Sequence, residues 1–216
     1  WAGVGKMVRG HKVGLTAAAM QRSFGVDQPD FGRLVDGMFF GDGEEVPSNR
    51  FIQARAEPET AFVLKRELAG PRVTMADAVR AVDFLLPALE IIDSRVTDWR
   101  ITLPDTIADN ASSGGVVLGA SPRSLSEVDL RLAGCNMWKN GELVATGATG
   151  AVLGNPLNAL VWLANTLGSF GEVLEADAIV LPGSCTPPCP IGPGDVVTAS
   201  FAGIGTVGTR FQELAA

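Results

Sequence analysis

The 216-residue chain has no tyrosine, one histidine (His11) and three cysteines. A single histidine excludes a multi-histidine zinc site within the chain, and with it zinc proteases and three-histidine hydrolytic centres. A Ser-His-Asp or Cys-His catalytic set would have to rest on His11 alone. Cys135, Cys185 and Cys189 are odd in number and form no C-x-x-C, which fits reduced thiols in a cytoplasm better than a disulfide framework. No stretch approaches the ~20 apolar residues of a membrane span. The longest apolar run, residues 84–92, is broken by Pro87 and Glu90. Bases are outnumbered by acids, 17 to 24, for a net charge of −7, so neither nucleic acid nor an anionic membrane is an expected partner. No signal peptide is visible. The first residue is Trp1, and the stretch from Lys6 to Lys12 reads like the interior of a protein, so upstream residues are expected to be missing.

What is present suffices for a self-contained core. At 46% hydrophobic residues the chain needs no disulfide or structural zinc, and residues 1–216 read as a single domain. Glycine is abundant at 26 residues without a repeating period, which points to many tight turns between short strands.

Residues 16–24 predict a short helix with Thr16 as N-cap and Gly25 as its stop. Residues 26–32 read as a turn-rich loop. Residues 57–64 predict a strand, weakened at its start by Pro58. Thr74 and Asp77 form a variant capping box for a helix bearing Val79, Val82, Leu85 and Leu86 on one face. Pro87 should end that helix, leaving residues 89–92 as a short strand. Residues 114–119 predict another strand. Asn140-Gly141, between strands at residues 129–138 and 142–146, is the clearest hairpin signal. Asn155-Pro156 opens a second helix with Leu160, Leu163, Ala164 and Leu167 on one face and Gly168 as its stop. Residues 178–181, 196–201 and 206–211 complete the strands. Regular βαβ alternation is absent, so the expected class is α+β with a largely β core. Trp138 and Trp162 are expected in that core.

Glu57 and Glu59 are two apart on a predicted strand and so share one face. Two adjacent carboxylates raise each other's pKa unless a cation intervenes, although a solvated strand end also tolerates this common pattern. Glu90 tips the balance, being the lone charge within residues 84–92. A carboxylate in so apolar a segment requires a partner. Three carboxylates in a dry pocket demand a divalent cation. Oxygen ligands without histidine or cysteine favour Mg²⁺ or Mn²⁺ and leave coordination positions open for substrate. Asp93, at an odd offset from Glu90, falls outside the set.

Several segments, in order along nearly the whole chain, resemble the fumarylacetoacetate hydrolase superfamily and within it the 2-keto-4-pentenoate hydratase branch. They are Lys12-Val13-Gly14-Leu15-Thr16, Gly25-Val26-Asp27-Gln28-Pro29-Asp30-Phe31-Gly32, Ala56-Glu57-Pro58-Glu59-Thr60-Ala61-Phe62, and Pro87-Ala88-Leu89-Glu90-Ile91-Ile92-Asp93. Asp105-Thr106-Ile107-Ala108-Asp109-Asn110-Ala111-Ser112, Asn155-Pro156-Leu157-Asn158-Ala159 and Gly183-Ser184-Cys185-Thr186 follow. The resemblance implies a mixed β-sandwich roll with a few flanking helices, preceded by a helical segment missing here. It implies Glu57, Glu59 and Glu90 as ligands of Mg²⁺ or Mn²⁺, Lys12 as the active-site lysine and Asp30 as the base. Leu15, Ser184, Thr186 and Asp109 are assigned to substrate contacts, although Ser184, Thr186 and Asp109 could equally order turns. No chemistry falls to His11.

The implied reaction adds water to 2-hydroxypenta-2,4-dienoate, giving 4-hydroxy-2-oxopentanoate in aromatic meta-cleavage catabolism. The implied enzyme is a cytoplasmic homo-oligomer, associated in some cases with the decarboxylase or aldolase of its pathway. Two alternatives share fold and metal: 2-oxohept-4-ene-1,7-dioate hydration, for which Arg95 or Arg123 could hold the far carboxylate, and 4-oxalocrotonate decarboxylation. C–C bond hydrolysis fits poorly, because His11 lacks an evident acidic partner. A catalytically silent partner subunit is the non-enzyme alternative.

Overall fold

A computed structural model describes residues 5–214, so the Trp1 start lies outside the described residues. Eight strands form one sheet in the order β2-β1-β10-β5-β6-β7-β3, with β11 also paired to β5. These are β1 (Val8–Gly14), β2 (Asp30–Val35), β3 (Phe39–Gly41), β5 (Arg55–Leu64), β6 (Val82–Ile92), β7 (Ser113–Leu118), β10 (Ile179–Leu181) and β11 (Cys189–Pro190). A five-stranded sheet runs β4-β13-β12-β8-β9, from β4 (Glu45–Val46), β8 (Gly134–Lys139), β9 (Glu142–Ala148), β12 (Val196–Phe201) and β13 (Gly205–Phe211). Both sheets mix parallel and antiparallel pairs. Four α-helices flank them: α1 (Ala18–Phe24), α2 (Met75–Ala81), α3 (Leu103–Ala108) and α4 (Pro156–Ser169). This is the expected α+β sandwich.

The larger sheet is buried on both faces. From β5, Phe62 and Leu64 join the main core with Leu89 and Ile91 of β6, Leu160 and Leu163 of α4, and Val197 and Val207 of the second sheet. Ala61 points the other way, into a small cluster with Leu34, Ala88, Val116 and Leu181. Glu57 and Glu59 lie on this second face, because alternate residues of a strand share a side.

Two prolines sit inside the central strands, Pro58 in a strand that was expected and Pro87 contrary to the expectation that it ends a helix. Pro58 lies within β5, which starts earlier, at Arg55. Pro87 lies within β6, which starts at Val82 directly after α2. A strand residue presents its N–H and C=O to the same neighbour. The Pro58 carbonyl accepts from Cys185 N–H at 3.2 Å, in the gap between the β10 and β11 pairings. The Pro87 carbonyl accepts from Gly119 N–H at 2.8 Å, past the end of β7. Neither missing donor therefore breaks a ladder. The capping box that opens α2 is present, with Asp77 N–H on Thr74 Oγ1 at 3.3 Å. The helix nevertheless stops at Ala81, so Leu85 and Leu86 are strand residues and Val79 is exposed.

Other expectations shift by a residue or a role. The N-cap of α1 is Ala17; Thr16 is buried instead, while Gly25 closes the helix in the left-handed conformation. The loop before β2 ends at Pro29, because Asp30, Phe31 and Gly32 pair with β1. Asn140 and Gly141 both have positive φ, as a type I′ hairpin requires, but β8 begins only at Gly134. Asn155 caps α4 through Leu157 N–H at 3.0 Å. Gly168 lies inside α4 rather than ending it, because a Cβ there would come within 2.3 Å of the Gly70 backbone. Trp138 and Trp162 are only half-buried, Trp162 meeting Phe31 edge-on.

Candidate metal centre and active-site cavity

The β5–β6 register sets Glu57 directly opposite Glu90, and Glu59 follows on the same face. One carboxylate oxygen from each lies within 4.8 Å of the others. Glu59 and Glu90 are fully buried; Glu57 is partly buried. Burial raises the pKa of Glu57 to about 7, with Glu90 adding to the shift and Lys12 opposing it. Glu59 is raised well above its ordinary value by burial, Glu90 and Glu57, against Lys12 and the Gly183 N–H, which donates to Glu59 Oε2 at 2.7 Å.

Lys12 reaches this cluster from β1, across β10. It is 4% exposed, and its Nζ lies 3.1 Å from Glu90 Oε1. Burial alone would discharge it. Glu90, Asp30, Glu57 and Glu59 reverse that effect and hold the ammonium above its ordinary pKa. Lys12, with Arg55 acting on Glu57 from farther along the strand, faces four carboxylates, and the remaining deficit is what a divalent cation would neutralise. Glu90 adds a second sign. Despite the nearby ammonium, neither of its oxygens makes a hydrogen bond of acceptable geometry among the described residues. A buried carboxylate that makes one ion pair and no well-formed hydrogen bond is under-satisfied, and an ion shared with Glu57 and Glu59 would complete it. The donor set is all oxygen, as Mg²⁺ and Mn²⁺ prefer. The residues present therefore fit such an ion.

A cavity of about 380 Å³ opens over the cluster. Lys12, Asp30, Leu15, Ser184 and Thr186 all line it. Asp30 is buried, and its Oδ2 accepts from Thr106 Oγ1 at 2.9 Å. Gly14, its partner in the ladder, leaves it room, since a Cβ there would lie 2.2 Å from Asp30 Oδ1. Leu15 adopts positive φ at the end of β1. Ser184 Oγ donates to Thr186 O at 2.8 Å and accepts from Thr186 N–H at 3.2 Å, and Thr186 Oγ1 donates to Pro187 O at 3.1 Å, so both hydroxyls serve the turn.

Asp109 is the one expected contact residue that does not line the cavity. Its carboxylate takes Arg95 Nε and Ser112 Oγ, which fixes the segment after α3. Arg95 is thereby committed, and Arg123 pairs by backbone with Leu85 away from the cavity. Asn110 braces β2 through both backbone groups of Arg33. Asp93 accepts Ile52 and Gln53 N–H groups, consistent with its exclusion from the ligand set. The lining residues that the sequence reading did not assign to the site include Arg55, Trp99 and Thr106. Arg55 could have been found by extending the Glu57/Glu59 alternation two residues back. Thr106 and Trp99 carried no such signal, since their helix and loop meet the cavity only through the tertiary fold.

The chain matches the family described as fumarylacetoacetate (FAA) hydrolase C-terminal over residues 13–212. It is 46% identical over 209 residues to a 2-keto-4-pentenoate hydratase of Paraburkholderia xenovorans (strain LB400), covering 97% of this chain and 78% of that one. It is 43% identical over 213 residues to a 2-oxo-hept-4-ene-1,7-dioate hydratase of Escherichia coli, covering 96% and 80%. Among solved structures, 4-oxalocrotonate decarboxylase from Pseudomonas putida G7, complexed with magnesium and adipate, superposes with a TM-score of 0.94 at 38% identity, covering 97% and 80%. Fold, family match and identity agree that this chain belongs to the fumarylacetoacetate hydrolase family.

Proposed function

We propose that the chain is a hydro-lyase of aromatic meta-cleavage catabolism that adds water to 2-hydroxypenta-2,4-dienoate, giving 4-hydroxy-2-oxopentanoate. The observation that carries this reading is the buried, under-neutralised cluster of Glu57, Glu59 and Glu90 beside Lys12, in a chain 46% identical to a 2-keto-4-pentenoate hydratase. Glu57, Glu59 and Glu90 would hold Mg²⁺ or Mn²⁺. Such an ion, when bound, supplies a Lewis acid for the 2-oxo acid end of the substrate.

The remaining chemistry belongs to the side chains. The Lys12 ammonium hydrogen-bonds the substrate's C2 oxygen and offsets the negative charge that develops there. Asp30, held by Thr106, takes the proton of the 2-hydroxyl as the dienol ketonises and returns it at C5, which completes a 2-oxo-3-enoate and leaves Asp30 ionised for the second stage. Water then adds its oxygen at C4 and a proton is placed at C3. Asp30 is positioned to manage the proton of that water. Leu15, Ser184 and Thr186 orient the chain of the substrate, and the apolar wall keeps bulk water away from the conjugated system.

Residues 1–216 are taken as one catalytic domain, working in the cytoplasm as a homo-oligomer beside a decarboxylase or aldolase of the same reaction sequence. Among the described residues no helix is long and apolar enough to cross a membrane.

The test uses the protein with Mg²⁺ or Mn²⁺ and follows the ultraviolet band of 2-hydroxypenta-2,4-dienoate. The band should decay, and chelation should stop the decay. Glu57→Gln should abolish turnover and weaken Mn²⁺ binding, measured by calorimetry, by more than about 100-fold, since even residues behind a ligand are worth 10–100-fold. An unchanged band with wild-type protein overturns the reading. Release of CO₂ from 4-oxalocrotonate without dienoate hydration would assign the site to decarboxylation.

A further inference from the structure

We propose that Asn110 is a positioning residue for the proton transfers at Asp30: its side-chain amide grips the outer edge of β2 and so sets where Thr106 meets the Asp30 carboxylate. The proposal rests on the hydratase reading for the role of Asp30 and adds to it a residue outside the cavity lining.

The segment that follows α3 is bent in a way that few sequences tolerate. Asn110, Ala111 and Ser112 have φ of 56°, 52° and 52° in succession. A side chain crowds its own backbone there, and of the three only asparagine is commonly found so. A run of this kind persists only where its surroundings over-determine it. Here they do. Ser113 Oγ donates to Asn110 O at 2.8 Å, Ser112 Oγ donates to Asp109 Oδ2 at 3.0 Å, and Asp93 N–H donates to Ser112 O at 2.8 Å. Arg95 bridges the Asp93 and Ser113 carbonyls. Ala111 and Ser112 are buried and line the cavity.

What the bend achieves is a two-point contact with β2. That strand is an edge of the larger sheet, so alternate residues turn their N–H and C=O away from β1 with no strand to receive them. Asn110 fills this gap at Arg33. Arg33 N–H donates to Asn110 Oδ1 at 2.8 Å, and Asn110 Nδ2 donates to Arg33 O at 2.9 Å. The amide thereby stands in for one rung of a missing strand. Gly32 shows how close the bend lies: a Cβ there would sit 2.4 Å from Asn110 O and 2.7 Å from Ser113 Oγ. Gly32 and Asp30 alternate along β2 and share a face, so the bend packs beside the Asp30 side chain. Thr106 stands four residues before Asn110, and its Oγ1 donates to Asp30 Oδ2 at 2.9 Å. The Asn110 grip and the Thr106 contact tie the same two segments together, and the first fixes the distance over which the second acts.

Asn110→Gly removes the amide and suits the left-handed backbone, so the chain can fold without the grip. With the Mn²⁺-loaded protein and 2-hydroxypenta-2,4-dienoate, kcat should fall by about tenfold or more, since a small displacement of a reacting group costs that much. KM and the Mn²⁺ affinity, the latter measured by calorimetry, should stay within about twofold. Coupling to Thr106 separates positioning from a merely structural role. Adding Asn110→Gly to Thr106→Val should lower kcat by no more than about twofold beyond Thr106→Val alone, because both act through one contact. Losses that multiply overturn the proposal. So does a rise in KM or a loss of Mn²⁺ affinity as large as the loss in kcat, which would assign Asn110 to the general shape of the cavity. Asn110→Asp accepts from Arg33 N–H but cannot donate to the Arg33 carbonyl; it should give an intermediate loss, and it takes over the test if Asn110→Gly does not fold. A crystal structure of the variant reports independently of turnover. The Thr106 Oγ1 to Asp30 Oδ2 separation should lengthen beyond about 3.5 Å, and an unchanged contact overturns the proposal. Failure of the hydratase reading would appear separately, as an unchanged dienoate band with the wild-type protein, and the variant structure would still decide whether Asn110 positions Asp30.

Discussion

Asp30 and Thr106 show how much one hydroxyl decides. Asp30 is buried at the first residue of β2, and Thr106 Oγ1 donates to it from α3, a contact between residues 76 apart in sequence. Thr106→Val keeps the shape and removes the donor, leaving one carboxylate oxygen without that partner. A positioned base contributes ~10²–10⁴-fold, so we expect kcat to fall by about 10- to 100-fold with KM little changed. Thr106→Ser should recover most of the loss. Steady-state kinetics on the dienoate decide this, and a rise in KM at constant kcat would contradict it. The sequence motif Asp105-Thr106 flagged the neighbourhood but not the contact. Glu57, Glu59 and Glu90 were legible because charges in apolar or patterned segments stand out; Lys12 and Asp30 were singled out only by the motifs they sit in. Asp109 was misread for the same reason: a motif aspartate looks like a contact residue, but this one is engaged by Arg95.

Element boundaries follow a different logic. Capping signals located the starts of α2 and α4, at Thr74 and Asn155, because a side-chain cap is a local interaction. Their ends were misjudged. Residues from Val82 onward could continue a helical face or pair as a strand, and pairing with β5 wins because it buries Leu85, Leu89 and Ile91 in the main core. Gly168 reads as a helix stop, yet its role is contact: α4 crosses the Gly70 backbone there. In a free helix Gly168→Ala would add about 1 kcal/mol of stability. Here the new Cβ would sit 2.3 Å from backbone atoms that cannot swing aside. Overpacking of this kind typically costs ~1–3 kcal/mol, so the net change should be destabilising. A urea midpoint above that of the wild-type protein would refute the close-packing explanation.

At the scale of the whole molecule, the buried carboxylates link folding, pH and metal. Glu57 titrates near 4.5 when unfolded and at about 7 in the folded, metal-free protein. The folded state therefore binds more protons in that interval, and the stability this group confers is present at low pH and lost as pH rises through about 7. His11 acts oppositely. Burial, with Arg33 adding and Glu172 opposing, lowers its pKa from 6.5 to about 4, so it favours folding increasingly as pH climbs across that range. Comparing metal-loaded with metal-free protein cancels the His11 contribution, which lies on the other sheet face from Lys12. Because the ion needs ionised carboxylates, the rise in Tm on adding Mn²⁺ should grow from about pH 5 to about pH 8. Scanning calorimetry at matched buffer compositions tests this, and a pH-independent increment would show that the carboxylates are already ionised without metal.

By itself the sequence determined the chemistry available: a hard-cation carboxylate set and one lysine, with no histidine cluster to offer an alternative. It also determined the α+β class, because strand alternation, the Asn140-Gly141 turn and the two N-caps are short-range features that neighbouring residues decide. Tertiary structure alone decided which charges meet. Lys12 and Glu90 are 78 residues apart in number, and no local pattern joins them; β10 between β1 and β5 does. It likewise placed Arg55 in the cavity and kept Arg95 and Arg123 out. Contact among distant charges depends on sheet order and register, which are set by the burial of two faces at once, a property no single segment encodes.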